Sequence, residues 1–275
     1  MRIVLKSLRV CSGQQTLIKD VSFELNSGNT LALIGESGAG KSLTCAALAG
    51  TLPPNLTAHG TLQLAEETEA PQVNLLQMRA ASRPAAARIA VVAQDSATAL
   101  YPLMGIKKQI SLAAQGAGSA ASEATALAGE LLERVGLTDP RLHNRRPGQL
   151  SGGQRQRAAI ALAIASRPAA LIADEPTTAL DVVTRQEILE LLHTLAASPD
   201  GPALILISHD LAAAAQCDQM VVLHDGVVIG AGSPQAVLHN PQSPQLAQML
   251  AAAHCETSEA LPQYPACLRL VPEAA

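Results

Sequence analysis

One stretch of the chain decides its fold class, and it reads Gly35-Glu36-Ser37-Gly38-Ala39-Gly40-Lys41-Ser42. It matches the phosphate-binding pattern G-x-x-x-x-G-K-[ST]. Its glycines let the backbone curl closely enough for successive N–H groups to face phosphate oxygens. Lys41 supplies a cation for the β- and γ-phosphates, and the Ser42 hydroxyl is a ligand for Mg²⁺ in such loops. The sequence therefore predicts a phosphate-binding site with Mg²⁺ at residues 35–42.

The residues on either side of this loop favour an α/β fold. Residues 30–34 are continuously apolar, which is typical of a strand buried on both faces, and residues 42–49 have helical spacing. The alternation returns later as strand 88–93, helix 153–166, strand 170–173, helix 183–197 and strand 203–207. Because strands alternate with helices, we expect a mostly parallel sheet. Asp225-Gly226, between two short apolar runs, predicts a final β-hairpin.

Two acidic residues end one of these strands. Residues 171–173 are apolar and are followed by Asp174 and Glu175. Successive side chains of a strand point to opposite faces, so the two carboxylates are expected to point differently. We expect Asp174 to hold Mg²⁺ through water and Glu175 to orient or deprotonate the attacking water. Acidic turns after strands are common, so this interpretation depends on the phosphate-binding loop upstream.

A second anion site is predicted where a helix begins after Leu150. The residues there are Ser151, Gly152, Gly153 and Gln154. Ser151 is a good N-cap, and the two glycines leave backbone N–H groups open at the positive end of the helix. A plain capped helix would have the same short sequence. Two phosphate-binding ends in one chain predict a sandwich dimer, in which this segment of one chain contacts the ATP held by the other.

Composition excludes several other classes of function. The chain has 275 residues, a formal net charge of −4, 48% hydrophobic and 15% charged residues, which argues against disorder. One Phe, two Tyr and no Trp provide too few platforms for stacking single-stranded nucleic acid, and no basic tract indicates a polyanion partner. No apolar run reaches the roughly 18 residues of a membrane span. The five scattered cysteines indicate no disulfide framework.

The chain resembles the nucleotide-binding subunits of ATP-binding cassette (ABC) transporters over about residues 1–254. Six motifs stand in the order of that family: GESGAGKS looks like Walker A, Gln94 like the Q-loop glutamine, LSGGQ like the signature, ALIADEP like Walker B, Ala179-Leu180-Asp181 like the D-loop and His209 like the switch histidine. The resemblance implies a P-loop NTPase core with a mixed or parallel sheet, an antiparallel β subdomain and a helical subdomain at about residues 98–150. Residues 255–275 are predicted to be a loose tail.

The resemblance also implies roles by position. Its ligands would be ATP and Mg²⁺. The residues implied to lie close to the metal are Ser42, Gln94 and Asp174. Glu175 and His209 would be the catalytic pair, with His209 on the γ-phosphate, and Asp181 would shape the contact across the dimer. Taken alone, Gln94, His209 and Asp181 would each be an ordinary residue at a strand end or a helix cap.

The residues that flank the motifs resemble those of one branch of the family, the importers of peptides, nickel and opines. Residues 176–183 and 105–110 are similar to that branch. Residues 40–47 and the end of the chain are similar to nickel-import ATPases, and the tail lacks the closely spaced cysteines of many oligopeptide-importer ATPases. The sequence therefore predicts ATP-driven import of nickel or a nickel chelate. The alternative is an importer of dipeptides, oligopeptides or an opine metallophore.

The resemblance implies a peripheral subunit on the cytoplasmic face of the inner membrane. Its implied partners are a second ABC ATPase in a heterodimer, two transmembrane permease subunits and, indirectly, a solute-binding protein, with no nucleic acid. DNA-repair ATPases of the coiled-coil type fit less well, because the span from Lys41 to Leu150 is too short for their insertion. Translation proteins of this kind carry two cassettes. Intact Lys41, Glu175 and His209 argue against a regulatory module without hydrolysis.

One feature of the family is missing from this chain. The family usually stacks adenine on an aromatic residue between its first two strands, whereas the matching residues here are Val10-Cys11-Ser12-Gly13. Phe23 comes too late and alternates like a core residue. We therefore expect adenine to be held mainly through the phosphates, and GTP to compete well with ATP. A metal site in the tail, from His254, Cys255 and Cys267, is disfavoured by the wide spacing.

Overall fold

The fold combines nine strands with ten α-helices over the residues that the structure describes. The structure, a computed structural model, describes residues 1–65, 73–178, 180–241 and 243–257. The strands are β1 (Arg2–Ser12), β2 (Gln15–Asn26), β3 (Thr30–Gly35), β4 (Leu56–Ala65), β5 (Ile89–Val92), β6 (Ala170–Asp174), β7 (Ala203–Ser208), β8 (Gln219–His224) and β9 (Val227–Gly232). The helices are α1 (Lys41–Ala49), α2 (Ser96–Ala99), α3 (Ile106–Gly116), α4 (Ala121–Arg134), α5 (Pro140–His143), α6 (Gly152–Ala165), α7 (Val182–Ala196), α8 (Leu211–Ala214), α9 (Pro234–His239) and α10 (Pro244–Thr257).

The strands form one mixed sheet in the order β4-β1-β2-β9-β8-β3-β7-β6-β5. From β8 to β5 every neighbouring pair is parallel. At the other side, β1 pairs antiparallel with both β2 and β4, and β8 pairs antiparallel with β9. The predicted mixed sheet with an antiparallel portion and the predicted final hairpin are therefore confirmed.

The continuously apolar strands owe their composition to burial on both faces of the sheet. Along β3, Ala32 and Ile34 pack into a core that includes α3, α4, α6 and α7. Leu31 and Leu33, the alternate residues of the same strand, pack into a second core with α1 and the antiparallel strands. A strand with a core on each side has no solvent face, and so it shows no polar alternation.

The antiparallel portion contains a strand, β4, that the sequence did not predict. Gly60 lies in its middle with a φ of 106°, opposite a register shift in β1 between Lys6 and Arg9. Within that shift, Ser7 also has a positive φ, of 48°. A Cβ on Gly60 would lie 2.5 Å from the Ser7 carbonyl oxygen, so only glycine fits this bulge. The sequence does carry a period-2 alternation here, interrupted only at Gly60: apolar Leu56, Ala58, Leu62 and Leu64 alternate with polar residues, and this is the signal that could have predicted the strand.

Helices fill most of the segment for which a helical subdomain was predicted. α2 begins at Ser96, two residues before the predicted boundary, and α3, α4 and α5 follow before the signature segment. At the other end, α10 continues to Thr257, so the predicted tail boundary at residue 255 falls inside a helix. Residues 258–275 lie outside the described residues. None of the helices in the described ranges has the length and apolar content needed to cross a bilayer.

Candidate functional site

The carboxyl ends of four parallel strands bring the predicted site residues to one edge of the sheet. The register pairs Ile34 of β3 with Ser208 of β7, and Ile207 of β7 with Asp174 of β6. It also pairs Ala173 of β6 with Val92 of β5. The loops that leave these strand ends hold the phosphate-binding loop, His209, Glu175 and Gln94, in that order across the edge. Segments far apart in sequence thus meet because parallel strands end together.

The phosphate-binding loop has the backbone that its glycines predict. Gly38 has a φ of 85° and Gly40 a φ of 105°, conformations that side chains with a Cβ rarely adopt. A Cβ on Gly35 would lie 2.4 Å from the Leu223 carbonyl oxygen of β8, so this residue is fixed by close packing. Between these glycines, Glu36 and Ser37 are exposed. The loop leads into α1, which starts at Lys41 and presents its positive end to the loop.

Lys41 is 8% exposed and lies turned into the loop. Its ammonium donates hydrogen bonds to the carbonyl oxygens of Gly35, at 2.7 Å, and Glu36, at 2.9 Å. Burial lowers the pKa of Lys41, and the charges of Glu175 and Asp174 oppose that shift. The ammonium has three protons, so one is free for a further acceptor. Ser42 follows on the exposed side of the helix.

The acidic pair occupies the end of β6 and the residue after it. Burial raises the pKa of Asp174, the neighbouring Glu175 raises it further, and Lys41 opposes both. Glu175 has a φ of 44°, which turns the chain sharply out of the strand, and its N–H donates to the Ile207 carbonyl oxygen at 3.0 Å. A positive φ is uncommon for a residue with a side chain and marks a position that the surrounding structure enforces.

The side chain of Glu175 has two neighbours. The hydroxyl of Thr178 donates to its Oε2 at 3.1 Å. Nδ1 of His209 lies 3.6 Å from its Oε1, with the His209 side chain 67% exposed and that of Glu175 24% exposed. The structure therefore brings the two predicted catalytic residues together. The role of Thr178 had no signal in the sequence, because a threonine in a turn is commonplace.

Gln94 lies where the resemblance expects it, after the carboxyl end of β5. It is exposed, in the bend between that strand and α2. The next residue, Asp95, caps α2 by accepting a hydrogen bond from the N–H of Ala97 at 2.8 Å. The bend thus leads directly from the sheet edge into the helical segment.

The signature segment caps α6 as predicted. The Ser151 hydroxyl accepts from the N–H of Gln154 at 3.2 Å, and the Gln154 side-chain oxygen accepts from the N–H of Ser151 at 3.0 Å. This reciprocal capping box leaves the N–H groups of the two intervening glycines for other acceptors. Ser151 and Gly152 are exposed, so the open end of the helix faces outward.

The same helix end packs against the start of α7. A Cβ on Gly153 would lie 2.8 Å from Cγ2 of Thr184, and one on Gly152 would lie 3.8 Å from Cδ2 of Leu180. Asp181 caps α7 by accepting from the N–H of Thr184 at 3.0 Å, and these hydrogen bonds lower its pKa. The signature glycines and the D-loop segment therefore form one continuous surface, which the sequence did not reveal.

Two exposed valines extend this surface. Val182 is 78% exposed and Val183 69%, at the first positions of α7. Together they form a small exposed apolar surface at the start of the helix. Their position next to Asp181 suits a contact with a second chain.

The described residues contain no group of three or more His, Cys, Asp or Glu that could hold a metal ion by themselves. The side chains of His254, Cys255 and Cys267, the residues of the disfavoured metal site, lie outside the described part. At the turn between β1 and β2, the stretch 10–13 carries no aromatic ring, and Phe23 is 8% exposed in the core.

Comparison with protein families and curated proteins gives a consistent result. The family model described as ABC transporter matches residues 18–178. The chain is 37% identical to the dipeptide transport ATP-binding protein DppD of Lactococcus lactis, over 85% of this chain and 67% of that protein. It is 36% identical to the oligopeptide transport ATP-binding protein OppD of Bacillus subtilis, over 90% and 69%. It is also 36% identical to the glutathione import ATP-binding protein GsiA of Escherichia coli K12, but spans 38% of that protein's length.

A solved structure shares the fold. It is the ATP-binding cassette MJ0796, determined as a dimer in a post-hydrolysis state bound to ADP and phosphate. The TM-score is 0.67 at 26% sequence identity, over 84% of this chain and 98% of that one. The predicted fold class is therefore confirmed.

Proposed function

This chain belongs to the ABC transporter family, and we propose that it is the ATPase subunit of an importer for dipeptides or oligopeptides. As an ABC ATP-binding subunit, it hydrolyses ATP and couples hydrolysis to transport. One observation carries the proposal. The phosphate-binding loop, Glu175 and His209 meet at one edge of the sheet, in a chain whose relatives DppD and OppD are named for dipeptide and oligopeptide transport.

The proposed substrate class follows the relatives rather than the wording of single motifs. DppD and OppD are named for dipeptide and oligopeptide transport and match 85% and 90% of this chain. Similarity over that length outweighs the short stretch 40–47 and the chain end on which the nickel prediction rested. Nickel import has no support among the relatives reported above. The alternative prediction, a peptide importer, fits better.

The residues of the site suit a triphosphate with Mg²⁺. An exposed hydroxyl at Ser42 and a carboxylate at the end of β6 are oxygen ligands of the kind that Mg²⁺ prefers. We assign the metal to Ser42, Gln94 and Asp174, and the phosphates to residues 35–42. When bound, Mg²⁺ would neutralise negative charge on the β- and γ-phosphates. Lys41 contributes a fixed cation to the same charges.

In the proposed reaction, Glu175 is the general base and His209 contacts the γ-phosphate. Thr178 holds one oxygen of Glu175, which leaves the oxygen facing His209 to accept a proton from water. That water attacks the γ-phosphorus, and the bond to the bridging oxygen breaks as ADP leaves with its electron pair. The exposed imidazole of His209, which lies beside the Glu175 carboxylate, can stabilise negative charge on the phosphoryl oxygens.

A second cassette would complete the site. We propose that Ser151, Gly152, Gly153 and Gln154 contact the ATP on a partner chain, with Asp181 beside them. The outward-facing helix end and the exposed valines next to Asp181 support this arrangement. The partner is proposed to be a second, different ABC ATPase. ATP binding would close the two cassettes, and hydrolysis would reopen them.

We further propose a peripheral position on the cytoplasmic face of the inner membrane. The proposed partners there are two permease subunits, which dock on the helical segment, and a solute-binding protein that acts indirectly. The test is the complex of this chain with its permease subunits and second ATPase, reconstituted in proteoliposomes. Peptide-loaded binding protein should stimulate ATP hydrolysis. Stimulation by nickel-loaded protein only would overturn the peptide assignment.

The missing adenine platform predicts weak base selectivity. Stacking on an aromatic side chain contributes about 1–3 kcal/mol per base. Without that contribution, GTP is expected to displace ATP with an inhibition constant within about tenfold of the ATP dissociation constant. The Cys11→Tyr variant should bind ATP at least about fivefold more tightly than the wild type. Competition binding on the purified chain measures both.

A matched control for that variant is Thr16→Tyr, on the strand position that pairs with Cys11. It adds the same ring to the neighbouring strand. Strict preference of the wild-type chain for ATP would show that another group holds the base, and would contradict the prediction.

A further inference from the structure

The hairpin turn between β8 and β9 lies against the phosphate-binding loop. Asp225 has a φ of 47° and Gly226 a φ of 72°, as expected for a two-residue turn in which both central residues are left-handed. A hairpin turn is usually a free, solvated end. Here the N–H of Gly226 donates to the carbonyl oxygen of Ala39 at 3.0 Å, and Ala39 is 3% exposed.

The other side of the turn is bound to β2. The carbonyl oxygen of Gly226 accepts from the N–H of Lys19 at 2.8 Å. The neighbouring Ile18 is fully buried, and its Cδ1 would lie 2.2 Å from a Cβ built on Gly40. The same Cβ would be 3.8 Å from Cα of Gly226. Strand β2, the hairpin turn and the phosphate-binding loop are therefore stacked in direct contact.

The hydrogen bond to Ala39 fixes the direction of one peptide group in the loop. In a trans peptide, the C=O of one residue and the N–H of the next point in opposite directions. Because the Ala39 carbonyl points at Gly226, the N–H of Gly40 must point away from the hairpin. Backbone N–H groups of this loop are the donors proposed for the phosphates.

The hairpin is itself anchored, through contacts of β9 with α10. β9 is covered by α10: a Cβ on Gly230 would lie 2.7 Å from Cδ2 of Leu246, and the Ser243 hydroxyl donates to the Ile229 carbonyl oxygen at 3.3 Å. The hairpin is thus held by α10 on one side and by β2 on the other.

We propose that Gly226 is a positioning residue for nucleotide binding, which holds the Ala39–Gly40 peptide in the direction that binds phosphate. Only glycine fits there. A Cβ would lie 2.2 Å from the Leu17 carbonyl oxygen and 3.1 Å from Cα of Ile18, both backbone atoms that cannot turn aside. Any side chain must push the turn away from β2 or from the loop. The inference rests on the proposed role of the loop in binding phosphate.

The test compares Gly226→Ala with Gly118→Ala, with ATP binding measured on the purified full chain and KM and kcat measured on the reconstituted transporter. Gly118 has a φ of 103° in the turn between α3 and α4, and nothing lies within 4 Å of a Cβ built there. Both variants suffer backbone strain, but only the first displaces the hairpin. Gly226→Ala is expected to raise the dissociation constant and the KM for ATP at least tenfold and to lower kcat less than threefold. Gly118→Ala should change neither.

A milder variant keeps the test decisive if Gly226→Ala does not fold. Ile18→Val removes the methyl group that packs against Gly40, and Ile3→Val removes the same group from a buried site in β1 as control. Ile18→Val should raise the dissociation constant for ATP two- to fivefold, and Ile3→Val should leave it unchanged. Wild-type affinity in folded Gly226→Ala, or equal effects of the two valine variants, would overturn the inference. Failure of the wild-type chain to bind ATP would instead overturn the proposed function.

Discussion

Replacing Glu175 by glutamine is expected to lower the rate of ATP hydrolysis at least about 100-fold, because an amide cannot accept the proton of the attacking water. The two side chains have nearly the same size, and the amide can keep the hydrogen bond with Thr178. The backbone turn at this residue is also unchanged. ATP affinity should therefore stay within about threefold of the wild-type value.

The measurement is steady-state hydrolysis with equilibrium ATP binding, on the reconstituted transporter. Glu190→Gln is a matched control, since Glu190 lies exposed on α7, where its carboxylate accepts from Gln186 at 2.9 Å. Turnover by Glu175→Gln equal to the wild-type rate would sink the assignment of this residue as base. If Glu175→Gln loses ATP affinity but keeps its turnover rate, the role of Glu175 is in binding ATP and not in hydrolysis.

Removing the charge of Lys41 should greatly weaken ATP binding. We expect Lys41→Met to raise the dissociation constant for ATP at least about 30-fold, because charge-assisted hydrogen bonds in partly desolvated sites are among the strongest polar contacts. The site also loses the cation that opposes the charges of Asp174 and Glu175. The pKa of Asp174 should then rise further, which adds to the loss as the pH falls.

Isothermal titration of the purified chain with ATP and Mg²⁺ measures this loss, with Lys6→Met as a control because Lys6 is exposed on β1. Lys41→Arg should not restore binding, since the guanidinium is planar and larger than the ammonium, and Lys41 is buried in the loop with its ammonium against two carbonyl oxygens. Affinity within threefold of wild type in Lys41→Met would show that phosphate binds elsewhere.

The parts of the site that could be predicted from sequence are those with local patterns. The loop at residues 35–42 needs glycines at positions of positive φ, and Asp174 and Glu175 follow an apolar strand. Their convergence also follows from sequence, because parallel strands end at the same edge. His209 and Gln94 were placed there through the order of the family's motifs rather than through any property of their own.

Contacts between distant segments could not be predicted. β4 pairs with β1 around a bulge of β1 that lies opposite Gly60. The sequence of neither strand specifies which residues of the two strands pair. Asp225-Gly226 predicted a turn but not that the turn would hold Ala39 of the phosphate-binding loop. The contact of Gly153 with Thr184 joins two helix ends that the sequence shows separately. Each of these contacts is made by backbone atoms or by a small residue. Such contacts leave no periodic pattern of apolar residues in the sequence.

For the choice of substrate, short matches and similarity over most of the chain favour different predictions. Short matches near residues 40–47 favoured nickel, although this subunit is not expected to touch the solute. Several of those residues, Thr44 and Ala47 among them, are buried in the packing of α1 and carry no contact with a solute. The relatives compared over most of the chain are a sounder guide to cargo class.

Uptake of labelled substrate in cells that lack this chain distinguishes a peptide importer from a nickel importer. The deletion strain would carry no copy, a wild-type copy or the Glu175→Gln copy, and accumulation of a radiolabelled dipeptide, tripeptide and nickel would be compared. Peptide uptake is expected to fall in the deletion strain, to return with the wild-type copy and to stay low with Glu175→Gln, while nickel uptake stays unchanged. Normal peptide uptake with lost nickel uptake would contradict the peptide assignment.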